Sequence, residues 1–134
     1  MATVAEALYA RLTSFGGLSA LVGSRIYPNI IPQNSTYPCI IYGRVAAEHF
    51  HCMEGSSGLV AETYQIDIFA TSKSSAEAIA EQVRLALQGY RGTSAGVAVN
   101  GVLLTDTRDD YSDVARLFNV SHDFKIWANE DRPA

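Results

Sequence analysis

The stretch FNVSHDFKIW, residues 118–127, alternates two kinds of side chain along its whole length. One set comprises Phe118, Val120, His122, Phe124 and Ile126, and the other comprises Asn119, Ser121, Asp123 and Lys125. Successive side chains of a β-strand point to opposite faces of the sheet, so this pattern predicts a strand with one packed face. The opposite face is expected to meet solvent or a neighbouring molecule.

Three other segments complete two predicted strand pairs. Val97 to Asp106 is expected to pair with the strand that runs from Ala115 to Trp127. Cys39 to Ala47 is rich in β-branched and aromatic residues, and strand character resumes in Leu59 to Ala70. Between these two, Glu48 to Gly58 holds Glu-Gly-Ser-Ser-Gly and two histidines, which predicts a long hairpin with a protruding, mobile tip.

Two amphipathic helices flank the first strand pair. From Thr3 to Phe15 apolar residues recur at intervals of three and four, and Gly16-Gly17 is expected to end this helix, with one further helical turn after it. Ser74 followed by Glu77 predicts a capping box at the start of the second helix. Apolar positions then repeat at helical spacing until glycines interrupt them.

The predicted element order is helix, strand, strand, helix, strand, strand. The proline-rich segment Arg25 to Pro38 is interpreted as an extended N-terminal arm before the first strand. An antiparallel sheet of about four strands with both helices packed on one face buries every apolar face in one core. The sequence thus predicts an α+β fold, with a single domain over residues 1–128 and a flexible polar tail over 129–134.

The composition limits the class of function. The chain has 134 residues, of which 48% are hydrophobic and 18% charged, and its formal net charge is −4. These values predict one soluble domain, and the acidic balance argues against wrapping duplex DNA or binding anionic lipid. No apolar run reaches the length of a membrane span, no secretory leader is expected, and two cysteines make no disulfide framework.

No motif for catalysis, cofactor binding or metal binding stands out. The phosphate-binding patterns GxxxxGK[ST] and GxGxxG are absent from the sequence. The densest cluster is His49-Phe50-His51-Cys52, but a structural zinc site usually needs four ligands, and a thiol nucleophile needs an orienting group. We therefore predict a polar hairpin tip there and no catalytic, cofactor or metal residue. His122 is expected to be a satisfied core or interface histidine.

Asp106 to Asp113 contains four carboxylates with a single arginine. The simplest interpretation is a solvated, turn-rich connection between two strands. The functional alternatives are a weak cation site and a surface that forms ion pairs with basic residues of a neighbouring molecule, which we favour. The segment lacks the glycine and the terminal glutamate of an EF-hand loop, so calcium binding is not favoured.

The sequence resembles the tail completion proteins of long-tailed bacteriophages and prophages, which are also called tail terminator or tail-to-head joining proteins. The similar segments cover nearly the whole chain in the same order. They are Leu21 to Pro28, Ile31 to Gln33, Tyr37 to Tyr42, Tyr64 to Ala70, Val83 to Leu87 and Phe118 to Trp127. The histidine-containing segment Glu48 to Gly58 has no counterpart in the family pattern.

The resemblance implies a structural virion protein without enzymatic activity. Such a protein would assemble as a ring, usually of six subunits, at the head-proximal end of the tail tube, stop tube growth and join the tail to the head connector. The implied partners are other copies of the chain, the major tail tube protein and the connector or stopper protein. DNA would pass through the ring without specific binding, and Asp and Glu rather than Lys are expected to line its lumen.

The candidate contact residues are chosen by residue type and position. They are Arg25, Tyr27 and Tyr37 in the arm, His49 and Glu54 in the hairpin, and Asp109, Asp110 and Tyr111 in the acidic segment. For Tyr27 and Tyr37 an internal packing role is an equal alternative. Three other functions stay open at this point: a neck or head-completion protein of the connector, a small ligand-binding domain with a cleft between helix and sheet, and a hydrolase or thiol enzyme built on Cys52 and His51.

Overall fold

The secondary structure comes from a computed structural model that describes residues 3–52 and 55–129, with the backbone alone described for residues 49–52 and 55–58. Within these residues the chain forms helices and strands in the following order. They are α1 (Val4–Ser14), α2 (Gly16–Val22), β1 (Ile26–Pro28), β2 (Cys39–Cys52), β3 (Gly55–Ala70), α3 (Lys73–Leu87), β4 (Gly92–Ser94), β5 (Val97–Ser112) and β6 (Leu117–Asn129).

The strands form one mixed sheet in the order β1-β2-β3-β6-β5-β4. The short strand β1 runs parallel to β2, and the other neighbouring pairs are antiparallel. One row across the sheet passes through Tyr42, Ile66, His122 and Thr107. Both predicted strand pairs are confirmed, and β3 and β6 join them at the centre of the sheet.

The alternation in β6 decides which face of the sheet is packed. Val120, Phe124 and Ile126 are buried beneath the helices, together with Ile66 and Ile68 of β3. Helix α3 lies on β3, β5 and β6, while α1 and α2 pack beside α3. Burying an aliphatic or aromatic side chain stabilises the fold by roughly 1.5–3 kcal/mol, so this face supplies most of the core energy. The α+β class is confirmed, but within the described residues the sheet has six strands and is mixed, where the sequence predicts about four antiparallel strands, and there are three helices where it predicts two.

Both long helices begin at a side-chain cap. Thr3 Oγ1 accepts a hydrogen bond from the Glu6 amide at 3.2 Å, and Ser72 Oγ accepts one from the Ser75 amide at 3.2 Å. The prediction of a cap at Ser74 is wrong, because Ser72 has the extended backbone of a capping residue and the helix is already under way at Ser74.

Gly16-Gly17 does not end α1. Phe15, with φ −81° and ψ 112°, both ends α1 and precedes α2, which starts at Gly16. One extended residue is enough to separate the two helices. Gly17 lies against the carboxamide of Gln82 on α3, which would have to move to make room for a side chain at this position.

Several predicted loops contain strands. The arm Arg25 to Pro38 includes β1, and the ladder between β2 and β3 continues through Cys52 and Gly55. The predicted turn-rich connection that begins at Asp106 is β5 as far as Ser112. In each case pairing with a long neighbouring strand overrides a local composition typical of loops. The tail prediction falls largely on residues 130–134, which lie outside the described residues.

Candidate functional site

Strand edges, open faces and clefts are the surfaces through which a folded chain can meet a partner. The first is the outer edge of β2. Its neighbour β1 pairs only with Ile40, Ile41 and Tyr42. From Gly43 to Cys52, β2 has no strand on its outer side among the described residues. Unpaired backbone groups of this kind are a template for another chain.

On the side of the sheet opposite β2, the outer edge of β5 also includes a stretch that pairs with no other strand among the described residues, and we call such a stretch a bare edge. Strand β4 pairs only with Val97 to Val99. The Leu104 amide donates to Gln88 Oε1 at 2.7 Å, and the Gly89 amide donates to the carbonyl of Val102 at 3.0 Å. Residues 105–112 therefore form the bare part of this edge within the described chain.

The face of the sheet opposite the helices carries a polar network. Ser121 donates a hydrogen bond to Asp67, which also accepts from Gln65 Nε2 at 3.1 Å. Nearby, the guanidinium of Arg108 donates to both oxygens of Asp123 at 2.9 and 3.2 Å. Hydrogen bonds to Asp123 and Asp106 raise the pKa of Arg108 above its usual range. This open face presents fixed charges and amides.

On the helix side, a cleft of about 520 Å³ lies between the start of α1 and the edge of β2. Its described lining is Thr3, Ala5, Pro28, Asn29, Tyr42, Gly43, Arg44, Glu62 and Tyr64. Glu62 is 1% exposed. Its Oε1 accepts a hydrogen bond from the Tyr64 hydroxyl at 2.8 Å, and Arg44 Nη1 lies 3.6 Å from the same oxygen.

Glu62 was not among the residues singled out from the sequence. A signal for it exists, because Glu62 shares the period-two spacing of Tyr64, Ile66 and Ile68 and therefore falls on the packed face. A carboxylate at such a position is informative, since buried acidic groups need partners.

His122 is buried with both ring nitrogens paired, as its sequence position predicted. Nε2 donates to the carbonyl of Ala80 at 3.1 Å, and Nδ1 accepts from the Thr107 hydroxyl at 2.9 Å. Burial lowers the pKa of His122 below 6.5. The ring is thus a neutral link between α3 and the sheet.

The three candidate residues of the arm lie close to β1. Arg25 Nε donates to the carbonyl of Pro38 at 2.8 Å, so its guanidinium holds the two ends of the arm together. Tyr27 is half-buried in β1, and Tyr37 is 37% exposed beside the cis bond to Pro38. The geometry leaves Tyr37 the most accessible of the three.

The acidic candidates divide between two faces. Asp109 pairs with Val120 and Tyr111 with Phe118, so both lie toward the helix side, where the rings of Tyr111 and Phe118 are 4.6 Å apart. Asp110 pairs with Asn119 and lies on the open face. All three are exposed and share the bare edge of β5.

Two candidate contact residues, His49 and Glu54, belong to the hairpin between β2 and β3. The backbone of His49 pairs with Val60, and its side chain is outside what the structure describes. Glu54 lies outside the described residues altogether.

The rest of the described chain offers little chemistry of other kinds. No group of three His, Cys, Asp or Glu residues suited to a metal ion occurs in it. Cys39 is completely buried, and burial raises the pKa of its thiol. None of the described helices is long and apolar enough to cross a membrane.

Comparisons with known proteins identify the family of the chain. Residues 6–129 match the family described as "Tail completion protein gp17". The comparison with curated proteins finds no match. Among solved structures, a chain of the "Virion of native gene transfer agent (GTA) particle" is similar in fold, with a TM-score of 0.77 and 18% sequence identity over 91% of each chain. The chain therefore belongs to the tail completion protein family and is a structural component of a virion tail.

Proposed function

We propose that the chain forms a ring of identical subunits that closes the head-proximal end of a tail tube. In this role it stops growth of the tube and presents a docking surface to the head connector. Membership of the tail completion family carries the proposal. Six subunits is the number that the family resemblance implies.

The two bare strand edges support a ring. The β2 edge and the edge formed by β5 and β4 lie on opposite sides of the sheet and differ in sequence, so contact between the β2 edge of one copy and the opposite edge of the next is heterologous. A heterologous contact repeats from copy to copy and closes when the rotation per subunit divides a full turn. The formal net charge of −4 is compatible with DNA that passes without being held.

Assembly of the tail tube protein of the same virion, with and without this chain, tests the proposal. With the chain present we expect tubes of limited length in negative-stain images, each with a ring at one end. A gold-labelled affinity tag on the chain should mark that end only. Tubes of equal length in both samples would refute the role, and label on the head connector alone would favour a neck protein.

A further inference from the structure

The carboxylate of Glu62 has fewer hydrogen bonds than its burial requires. The group is 1% exposed, yet its described hydrogen-bond donor is the hydroxyl of Tyr64 on Oε1. Arg44 Nη1 is 3.6 Å from Oε1, beyond hydrogen-bond distance, and its side chain is 57% exposed. Oε2 has no hydrogen-bond partner among the described residues. A buried polar oxygen without a hydrogen-bond partner is costly, so a further donor is expected to complete it.

The cleft beside Glu62 is shaped for a donor that arrives from outside the chain. It is open between the start of α1 and β2, at the place where β2 loses its outer neighbour. Ala47, which pairs with Glu62, is a small, exposed residue on that edge. A long side chain that crosses the edge of β2 here enters the cleft that Glu62 lines. A guanidinium is long, always charged and a strong donor to carboxylates, so it suits this position.

Two arginine side chains have no hydrogen bond or ion pair within the described residues, Arg91 and Arg116. Arg91 precedes β4, at the sheet edge opposite β2. Gly92 lies in a row with Val99, Ala128 and Val60, which places Arg91 within about one residue of the level of Glu62. Arg116 lies in the turn after β5, at the other end of the strands.

We propose that Arg91 of one copy of this chain enters the cleft of the next copy and donates hydrogen bonds to Glu62. The pairing rests on the ring proposed above, because copies set side by side at one level bring the β4 edge of one to the β2 edge of the next. Arg91 is the residue that each copy supplies to its neighbour's cleft. Each copy is then both a donor and an acceptor, as head-to-tail closure requires.

Single substitutions test the pair. Arg91→Ala and Glu62→Gln are each expected to weaken self-association by about tenfold or more, as close charged pairs at interfaces do. Arg116→Ala removes the other unpaired guanidinium and is expected to associate like the wild type. Sedimentation over a concentration series measures the dissociation constants. Circular dichroism checks the fold, and Arg91 is exposed, so the test stands even if Glu62→Gln unfolds.

Mixing the two variants gives a sharper result. A Glu62→Gln chain still carries Arg91, and an Arg91→Ala chain still carries Glu62, so together they form one intact contact. We expect one-to-one dimers from the mixture and no rings. Rings of Arg91→Ala with wild-type affinity would overturn the pair and leave the ring standing. Wild-type chains that form no ring, alone or on tail tubes, would overturn both proposals.

A different occupant is also an outcome of the experiment. Free arginine that raises the melting temperature of the wild type, but not of Glu62→Gln, while Arg91→Ala leaves assembly unchanged, would show that the cleft binds a small cation instead. That result would overturn the contact between copies.

Discussion

Two polar residues, His122 and Glu62, are buried on the packed face of the sheet, and they differ in how fully their polar atoms are hydrogen-bonded. His122 is 5% exposed and has a hydrogen-bond partner for each ring nitrogen. It therefore links α3 to β5 and β6 without leaving a buried polar atom unsatisfied. Glu62 is more deeply buried, and its Oε2 has no hydrogen-bond partner among the described residues. The first residue stabilises the fold, and the second is the group on which the proposed contact between copies rests.

The pH dependence of stability is expected to report on His122. Burial lowers its pKa in the folded chain, so the unfolded chain binds more protons just below pH 6.5. Its contribution is therefore complete above that pH and lost as the pH falls through the folded pKa. The slope for one proton is about 1.4 kcal/mol per pH unit at most. Urea unfolding between pH 5 and pH 8 measures it.

His122→Gln provides the control for this titration. Glutamine keeps a donor and an acceptor but does not titrate in this range, while His49 and His51 remain. We expect a flatter stability profile for the variant between pH 5 and 6.5. Identical profiles for the two proteins would show that His122 has no part in the acid loss.

At the scale of the element, the start of α3 depends on one hydroxyl. Ser72→Ala removes the acceptor for the Ser75 amide and is expected to lower the free energy of unfolding by about 1 kcal/mol. Ser74→Ala is the matched control, because Ser74 lies inside the first turn, where alanine is the better helix former. Urea unfolding of both variants compares them. An equal loss in both would contradict the assignment of the cap.

The bare edge of β5 provides a second test at this scale. Asp109→Lys and Asp110→Lys together are expected to weaken assembly if the edge forms ion pairs with basic residues of a neighbour, and the single variants separate the two faces. Glu81→Lys makes the same charge change per substitution on α3. Light scattering at low and high salt measures oligomer mass, which should differ least at high salt. An unchanged mass in the double variant would refute ion pairing.

Long strands could be predicted from the sequence, whereas the short strands β1 and β4 could not. Long periodic segments such as 118–127 identify their own strand and packed face. The strands β1 and β4 have only three residues each, which is too short for any period to appear, and they exist because a long neighbour offers a free edge. The acidic half of β5 has no strand composition and is held by pairing with β6.

At the scale of the whole molecule, fold class and family could be predicted, while the arrangement of surfaces could not. The α+β class follows from the order of periodic segments, and residues 6–129 belong to the predicted family. The cleft at Glu62 brings together residues from α1, β2 and β3 that are remote in the sequence. The eight candidate contact residues stay predictions, because each depends on a neighbour that a single chain does not contain.

The two bare edges are displaced along the strand direction. The row through Gly43, Gln65, Asp123 and Asp106 divides them, with β2 bare on one side of the row and β5 bare on the other. Between copies at equal height, exposed backbone therefore faces backbone that β1 or β4 already covers. Continuous strand pairing would require a slide along the strands, so runaway growth of a flat, fibre-like sheet is disfavoured. The displacement that disfavours aggregation of the free chain has a second consequence. In any ring that paired both bare edges, the strands would be tilted relative to the ring axis, as they are in a closed β-barrel.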